Sequence, residues 1–313
     1  MEIYKRCLAV IVCTCAFALD VLGAIVNIDT AIEDLSISMV EIGSPGNNFH
    51  KHKGNEYGKV DYHFWMSKTE VTNDMFVKIM NKNKEIASEY GFYYNKMGVT
   101  NNFGGINRNG TSGNFDYETF DGWGAKPVNY VNMEIALIVC NLLNGSDALD
   151  GMYKITYNAD GTLNPNSMKR LLNEGFGLPT EDEWVKAAYW DSETADYNSD
   201  ALPGNYNNSF IDVGSENNTS PSGVEDMGGN IAEMIATLYD VSDEEKIVSR
   251  GGHMSSQLWH TLISKRYSTK ITSRNRVLGI RLAYTPEPAA YTSILSSLAL
   301  AIAIMRRKRR RCL

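Results

Sequence analysis

Residues 35 to 285 carry no repeat, no heptad and no low-complexity linker, only short periodic segments set among stretches rich in Gly and Asn. That pattern excludes solenoids and coiled coils, whose signature is a sustained period. It predicts a single loop-rich domain, and with 43% hydrophobic residues the chain has enough apolar side chains for a sizeable core.

The periodic segments are few. Ser38-Met-Val-Glu-Ile-Gly43 alternates and reads as a strand, and Val60 to Met66 reads as a second. Between them a turn-rich loop runs through Asn47 and Asn48. Met75, Phe76, Ile79 and Met80 share one helical face, behind a cap at Thr72 or Asn73. Residues 91–125, rich in Gly, Asn and aromatics, predict an ordered-loop insert. Asn132 is placed to cap a helix through Asn144, with Ile135, Val139 and Leu142 on its face. The clearest local signal is Thr180-Glu-Asp-Glu183, a capping-box spacing that follows Pro179. The fold class is α+β, with two main helices and scattered short strands.

Both ends read as addresses. Residues 1–24 show Lys5 and Arg6, then an apolar run from Cys7 to Leu19, then small residues at Ala16-Phe-Ala18 and Leu22-Gly-Ala24. This is the order of a cleaved secretory signal, the alternative being a buried N-terminal strand. Residues 286–313 begin Pro286-Glu287-Pro288, continue without a charge from Ala289 to Met305, and end in a run of six basic residues from Arg306 to Arg311. A helix over that charge-free stretch would be ~25 Å long, a marginal membrane span with its basic end held on the cytoplasmic side. The tail resembles the PEP-CTERM sorting signal of Gram-negative bacteria, which implies an exosortase-type partner. A simple tail anchor is the alternative. Of 30 basic and 37 acidic residues, eight and three lie in these two ends, leaving −12 between them. Such a charge argues against nucleic-acid binding. Four of the five cysteines also lie in the ends, so Cys140 alone remains, and neither an intrachain disulfide nor a cysteine metal cluster is available.

Five segments occur in one order: Thr69-Glu-Val-Thr-Asn73; Lys126-Pro-Val-Asn-Tyr-Val with Cys140-Asn-Leu-Leu143; Leu178-Pro-Thr-Glu-Asp-Glu-Trp184; Asp226-Met-Gly-Gly-Asn-Ile-Ala-Glu233; and Arg250-Gly-Gly252 leading to Gly279-Ile-Arg-Leu282. Together they resemble the formylglycine-generating enzyme family, the sulfatase-modifying factor domain. The resemblance implies a variant of the C-type lectin-like fold with little regular structure and bound calcium. It also implies oxidation of a sulfatase cysteine by two cysteines that hold copper(I). Between Gly252 and Arg281, where that pair would fall, this chain has no cysteine. Ser256 and Thr261 stand about there, and hydroxyls do not replace thiolates on copper(I). Copper and formylglycine generation are therefore not expected.

For calcium, the resemblance implies Asp226 and Glu233 as carboxylate ligands with carbonyls from Gly229 and Ile231, a set of hard oxygens. Asn205 and Tyr206 resemble the start of a second calcium loop, shortened after them. The bland alternative makes Asp226 a turn residue and Glu233 a surface acid. Related sulfoxide-forming enzymes hold iron with three histidines. Here His50 and His52 flank one lysine, either in an exposed loop or at a metal. His253 and His260 fall beside the old active-site position, on a helix, strand or loop. Two departures weaken substrate binding in the family's manner: Ala232 and Met234 flank the glutamate in place of aromatics, and Gly177 replaces an arginine. Trp259 and Tyr267 form either a cleft wall or ordinary packing.

These readings predict an exported, envelope- or matrix-associated binding or structural module, with a glycan or peptide ligand and membrane contact through the tail. The alternative is a metal-dependent, oxidoreductase-like enzyme using the old cleft at His253, Ser256, Trp259 and His260. Convergence of the histidines with a carboxylate in a pocket would separate the two.

Overall fold

The computed structural model describes residues 25–286 apart from 217 and 241. The expected signal (1–24) and all but the first residue of the expected sorting segment (286–313) lie outside the described residues. The described chain opens with β1 (Ile25–Asp29) and β2 (Ser36–Ile42), a small hairpin of β3 (His50–His52) and β4 (Asn55–Tyr57), and β5 (Phe64–Ser67). Next come α1 (Asn73–Lys82), α2 (Lys84–Glu89), a second hairpin of β6 (Ile106–Thr111) and β7 (Asn114–Thr119), and α3 (Met133–Leu143). The remainder comprises β8 (Gly175–Gly177), α4 (Glu181–Tyr189), β9 (Trp190–Asp191), β10 (Asp196–Tyr197), β11 (Ala232–Asp240), β12 (Asp243–Arg250), β13 (Tyr267–Lys270), β14 (Leu278–Gly279) and β15 (Ala283–Thr285).

Two sheets carry the architecture. The larger is antiparallel with strand order β1-β2-β5-β15-β8, and the second runs β13-β12-β11-β14 with β11 and β14 parallel. The larger sheet is buried on both sides. Ile37 and Met39 face one core with α1 and α3, while Val40, Ile42, Phe64 and Met66 face another with α4, Ile235 and Val248. α3 is buried all round except at Glu134, which makes it a central helix rather than an amphipathic surface one.

The helix starts follow from their caps. Thr72 accepts from the Met75 N–H and Asn132 from the Ile135 N–H. Thr180 and Glu183 form both bonds of the capping box. The described residues hold four α-helices in the expected α+β fold, α2 following α1 after the single residue Asn83. The first described strand begins at Ile25, ahead of the expected domain start at 35, because β1 pairs along its whole length with residues 36–40 of β2. The insert over 91–125 is a hairpin with short 3-10 turns, and His50 and His52 lie in a hairpin rather than a loop. Among the described residues no helix is long and apolar enough to cross a membrane.

Candidate functional site

Two polar centres lie on opposite faces of β11 and β12. The first is buried. Glu233, on β11, accepts from Arg281 Nε through Oε1 at 2.7 Å, and from the Trp184 indole N–H through Oε2. Arg281 uses its remaining donors on the carbonyls of Ser67 (2.8 Å), Glu225 (2.9 Å) and Asp226 (3.1 Å). Its Nη2 also lies 3.9 Å from Glu70 Oε2. Glu70, Asp226, Glu233 and Arg281 are each no more than 1% exposed. Burial and the neighbouring Asp226 push the Glu70 carboxyl well above the usual carboxylate range. Opposite Glu233 in register, Arg250 binds Glu181 at 2.7 Å, and Arg266 joins the same carboxylate at 2.9 Å.

The residues expected at calcium fall in and beside this centre. Glu233 does not fit as a calcium ligand, because both of its oxygens are already bonded to Arg281 and Trp184 and the adjacent charge is a guanidinium. Asp226 Oδ2 accepts from the Gly214 N–H, leaving Oδ1 without a partner. The Ile231 side chain packs with Phe210 and Met254. Asn205 pairs with Gly229 through a parallel bridge, but its side-chain amide is spent on Ser209 O at 2.6 Å and Asn230 Oδ1 at 3.3 Å. The Tyr206 hydroxyl donates to Leu202 O at 2.7 Å. Among the described residues no group of three or more His, Cys, Asp or Glu is arranged to hold a metal ion. Neither carboxylate is a surface acid either, so the bland reading of Glu233 fails as well.

The second centre is an open cleft of about 210 Å³ lined by Ala232, Ser249, His253, Ser256, His260 and Tyr267, with Thr269, Asn275, Val277 and Leu278 completing the wall. Both histidines enter it, on a loop that includes a 3-10 turn over Leu258–Thr261. The Ser255 N–H donates to His253 Nδ1 at 3.2 Å and the Gln257 N–H to His260 Nδ1 at 3.1 Å. In the neutral rings the proton therefore sits on Nε2. Burial lowers the His253 pKa, and His260 and Arg276 lower it further. No acidic side chain lines the cleft, so the carboxylate that general acid–base chemistry with these histidines would call on is not part of this wall. Trp259 stands 47% exposed at the lip, its ring 3.8 Å from that of His260 and covered by the Lys265 ammonium.

Ser256 and Thr261 meet at one point. A Cβ on Gly252, whose φ is +68°, would lie 3.3 Å from the Ser256 side chain and 3.2 Å from that of Thr261. The two hydroxyl residues thus flank the same glycine, where the resemblance places a thiol pair. Cys140 is remote in role as well as kind: it is buried on α3, and burial pushes its thiol up to about 12, far from a reactive thiolate. Sequence reasoning left the roles of Glu70, Arg281 and Arg170 unread. Arg170 lies over Gly177 and binds Glu183 in a bidentate pair at 2.7 and 2.8 Å, filling the space of the expected arginine.

Two sheets, a central helix and long ordered loops around a buried ionic centre define a formylglycine-generating-enzyme-type variant of the C-type lectin-like fold. Residues 44–286 match the sulfatase-modifying factor enzyme 1-like domain, and the chain belongs to that family. Among solved structures it is similar to Treponema denticola variable protein 1, at 20% identity and a TM-score of 0.57 over 83% of this chain and 99% of that one. CarF is similar at 21% identity and a TM-score of 0.51, over 80% and 99% of the two chains. PvdO from Pseudomonas aeruginosa matches at 14% identity and a TM-score of 0.48, over 84% and 98%. A comparison with curated proteins finds no match.

Proposed function

We propose that this domain binds a ligand in the cleft between His253 and Tyr267 and does not generate formylglycine. The observation that carries the reading is the pair of hydroxyl residues, Ser256 and Thr261, flanking Gly252 where a copper(I) site needs thiolates. The cleft is open to solvent, with the exposed Trp259 ring against His260, one of its lining residues. The terminal segments extend the proposal to an exported protein of the envelope or matrix, sorted through a PEP-CTERM-like tail by an exosortase-type partner.

A copper(I) competition titration tests the core of this reading. The wild-type chain is expected to take up no stoichiometric copper(I) and to leave a cysteine-containing sulfatase peptide unoxidised. A double variant, Ser256→Cys with Thr261→Cys, is expected to gain one copper(I) per chain. Copper uptake or peptide oxidation by the wild type would sink the proposal.

A further inference from the structure

We propose that the cleft takes a small oxyanion, a carboxylate or sulfate group on a ligand no larger there than a side chain. The inference rests on the binding reading above and names the chemistry that reading leaves open. The wall is unbalanced in charge: Arg276 is exposed on the segment between the lining residues Asn275 and Val277, and no Asp or Glu lines it. It is unbalanced in hydrogen bonding too. Both histidine Nδ1 atoms already accept backbone N–H groups, which leaves each Nε2–H as a donor. The Tyr267 hydroxyl is buried without a partner. Ser249 and Thr269 are bonded hydroxyl to hydroxyl at 3.1 Å, so of their two protons only one is used between them.

Those donors fit a ligand that only accepts. A neutral sugar presents hydroxyls that must donate as well as accept, and this wall gives it no carboxylate to receive them. A hard metal cation finds no carboxylate on this wall. Hydrogen bonds from such donors to an ionised oxygen are charge-assisted and shorter and stronger than neutral ones. The volume sets the size. At about 210 Å³ the cleft falls below the ~300 Å³ at which drug-sized pockets begin, and Ala232, Val277 and Leu278 supply an apolar floor for a short carbon stem.

The test is a titration of the full-length chain followed by histidine-ring NMR, with acetate and sulfate as probes and acetamide as the neutral match for acetate. Acetate or sulfate is expected to shift the His253 and His260 signals, with acetamide about tenfold weaker or worse. Tyr267→Phe is expected to weaken the anion about tenfold while leaving the thermal midpoint unchanged. Glucuronate and N-acetylglutamate amide then distinguish an acidic sugar from an acidic peptide as the bearer, and tighter binding of either supports the proposal. Equal binding of acetamide overturns the oxyanion assignment. So does silence toward both anions while a neutral sugar or peptide still shifts the two histidines, an outcome that leaves the binding reading standing. Silence toward every probe overturns both.

Discussion

The two faces of the β11–β12 pair hold opposite kinds of polar site. On the buried face each guanidinium meets a counter-charge supplied by the protein, with Arg281 on Glu233 and Arg250 on Glu181. On the cleft face two histidines meet none along the wall. Paired guanidinium groups have their donors occupied, whereas the cleft wall opens to solvent with donors still available, which is why the proposed binding is assigned to the cleft face.

Breaking the buried set should have the largest effect. Arg281→Ala strands the Glu233 carboxylate at 0% exposure and is expected to cost about 3–5 kcal/mol in a denaturant titration. A loss under 1 kcal/mol would show that the pair does not form. Lys186, buried with its ammonium on Ser44 O at 2.8 Å, gives a pH signature. Burial lowers its pKa from 10.5 to about 8. Between those values the unfolded chain holds a proton that the folded chain has released, so stability rises as pH climbs from about 8 toward 10.5. Lys186→Met should flatten that rise, and a slope that persists in the variant refutes the assignment.

Smaller effects sharpen the contrast. Thr180→Ala removes half of the capping box on α4 and is expected to cost about 1 kcal/mol, read by thermal melting. Chelation with EDTA should leave the melting midpoint where it was, since Arg281 already supplies the positive charge at Glu233. A fall of several degrees, reversed by calcium, would mean that Glu233 exchanges its arginine for an ion. His260→Ala, at the cleft, should shift stability by no more than about 0.5 kcal/mol. A larger loss would make that face structural.

The sequence was most legible where local chemistry decides structure. Thr72, Asn132 and Thr180 sit at helix starts because their side chains reach an orphan N–H within three residues, and such short-range bonds are readable from spacing alone. α2 was not legible, because its six residues offer only Ile86 and Ala87 to the core, too short a pattern to make an apolar stripe. Glu70, Trp184, Glu233 and Arg281 come from four of the five matched segments, and they meet in one buried centre. Pairing across 48 positions, as between Glu233 and Arg281, leaves no periodic trace. The cleft was half legible: His253, Ser256 and His260 gather there with Trp259 against His260, but its lack of a carboxylate belongs to the assembled wall.

The alternation of β11 and β12 has a consequence for how such a domain diversifies. Ala232 and Ser249 line the cleft, while their immediate neighbours Glu233 and Arg250 turn inward to the ionic centre. A one-residue step along either strand thus separates what is displayed from what is fastened. Substitutions at the displayed positions, and in the loop carrying His253 and His260, alter the recognised shape without loosening the frame behind it. Ligand preference in this architecture is free to drift quickly over a foundation that is not.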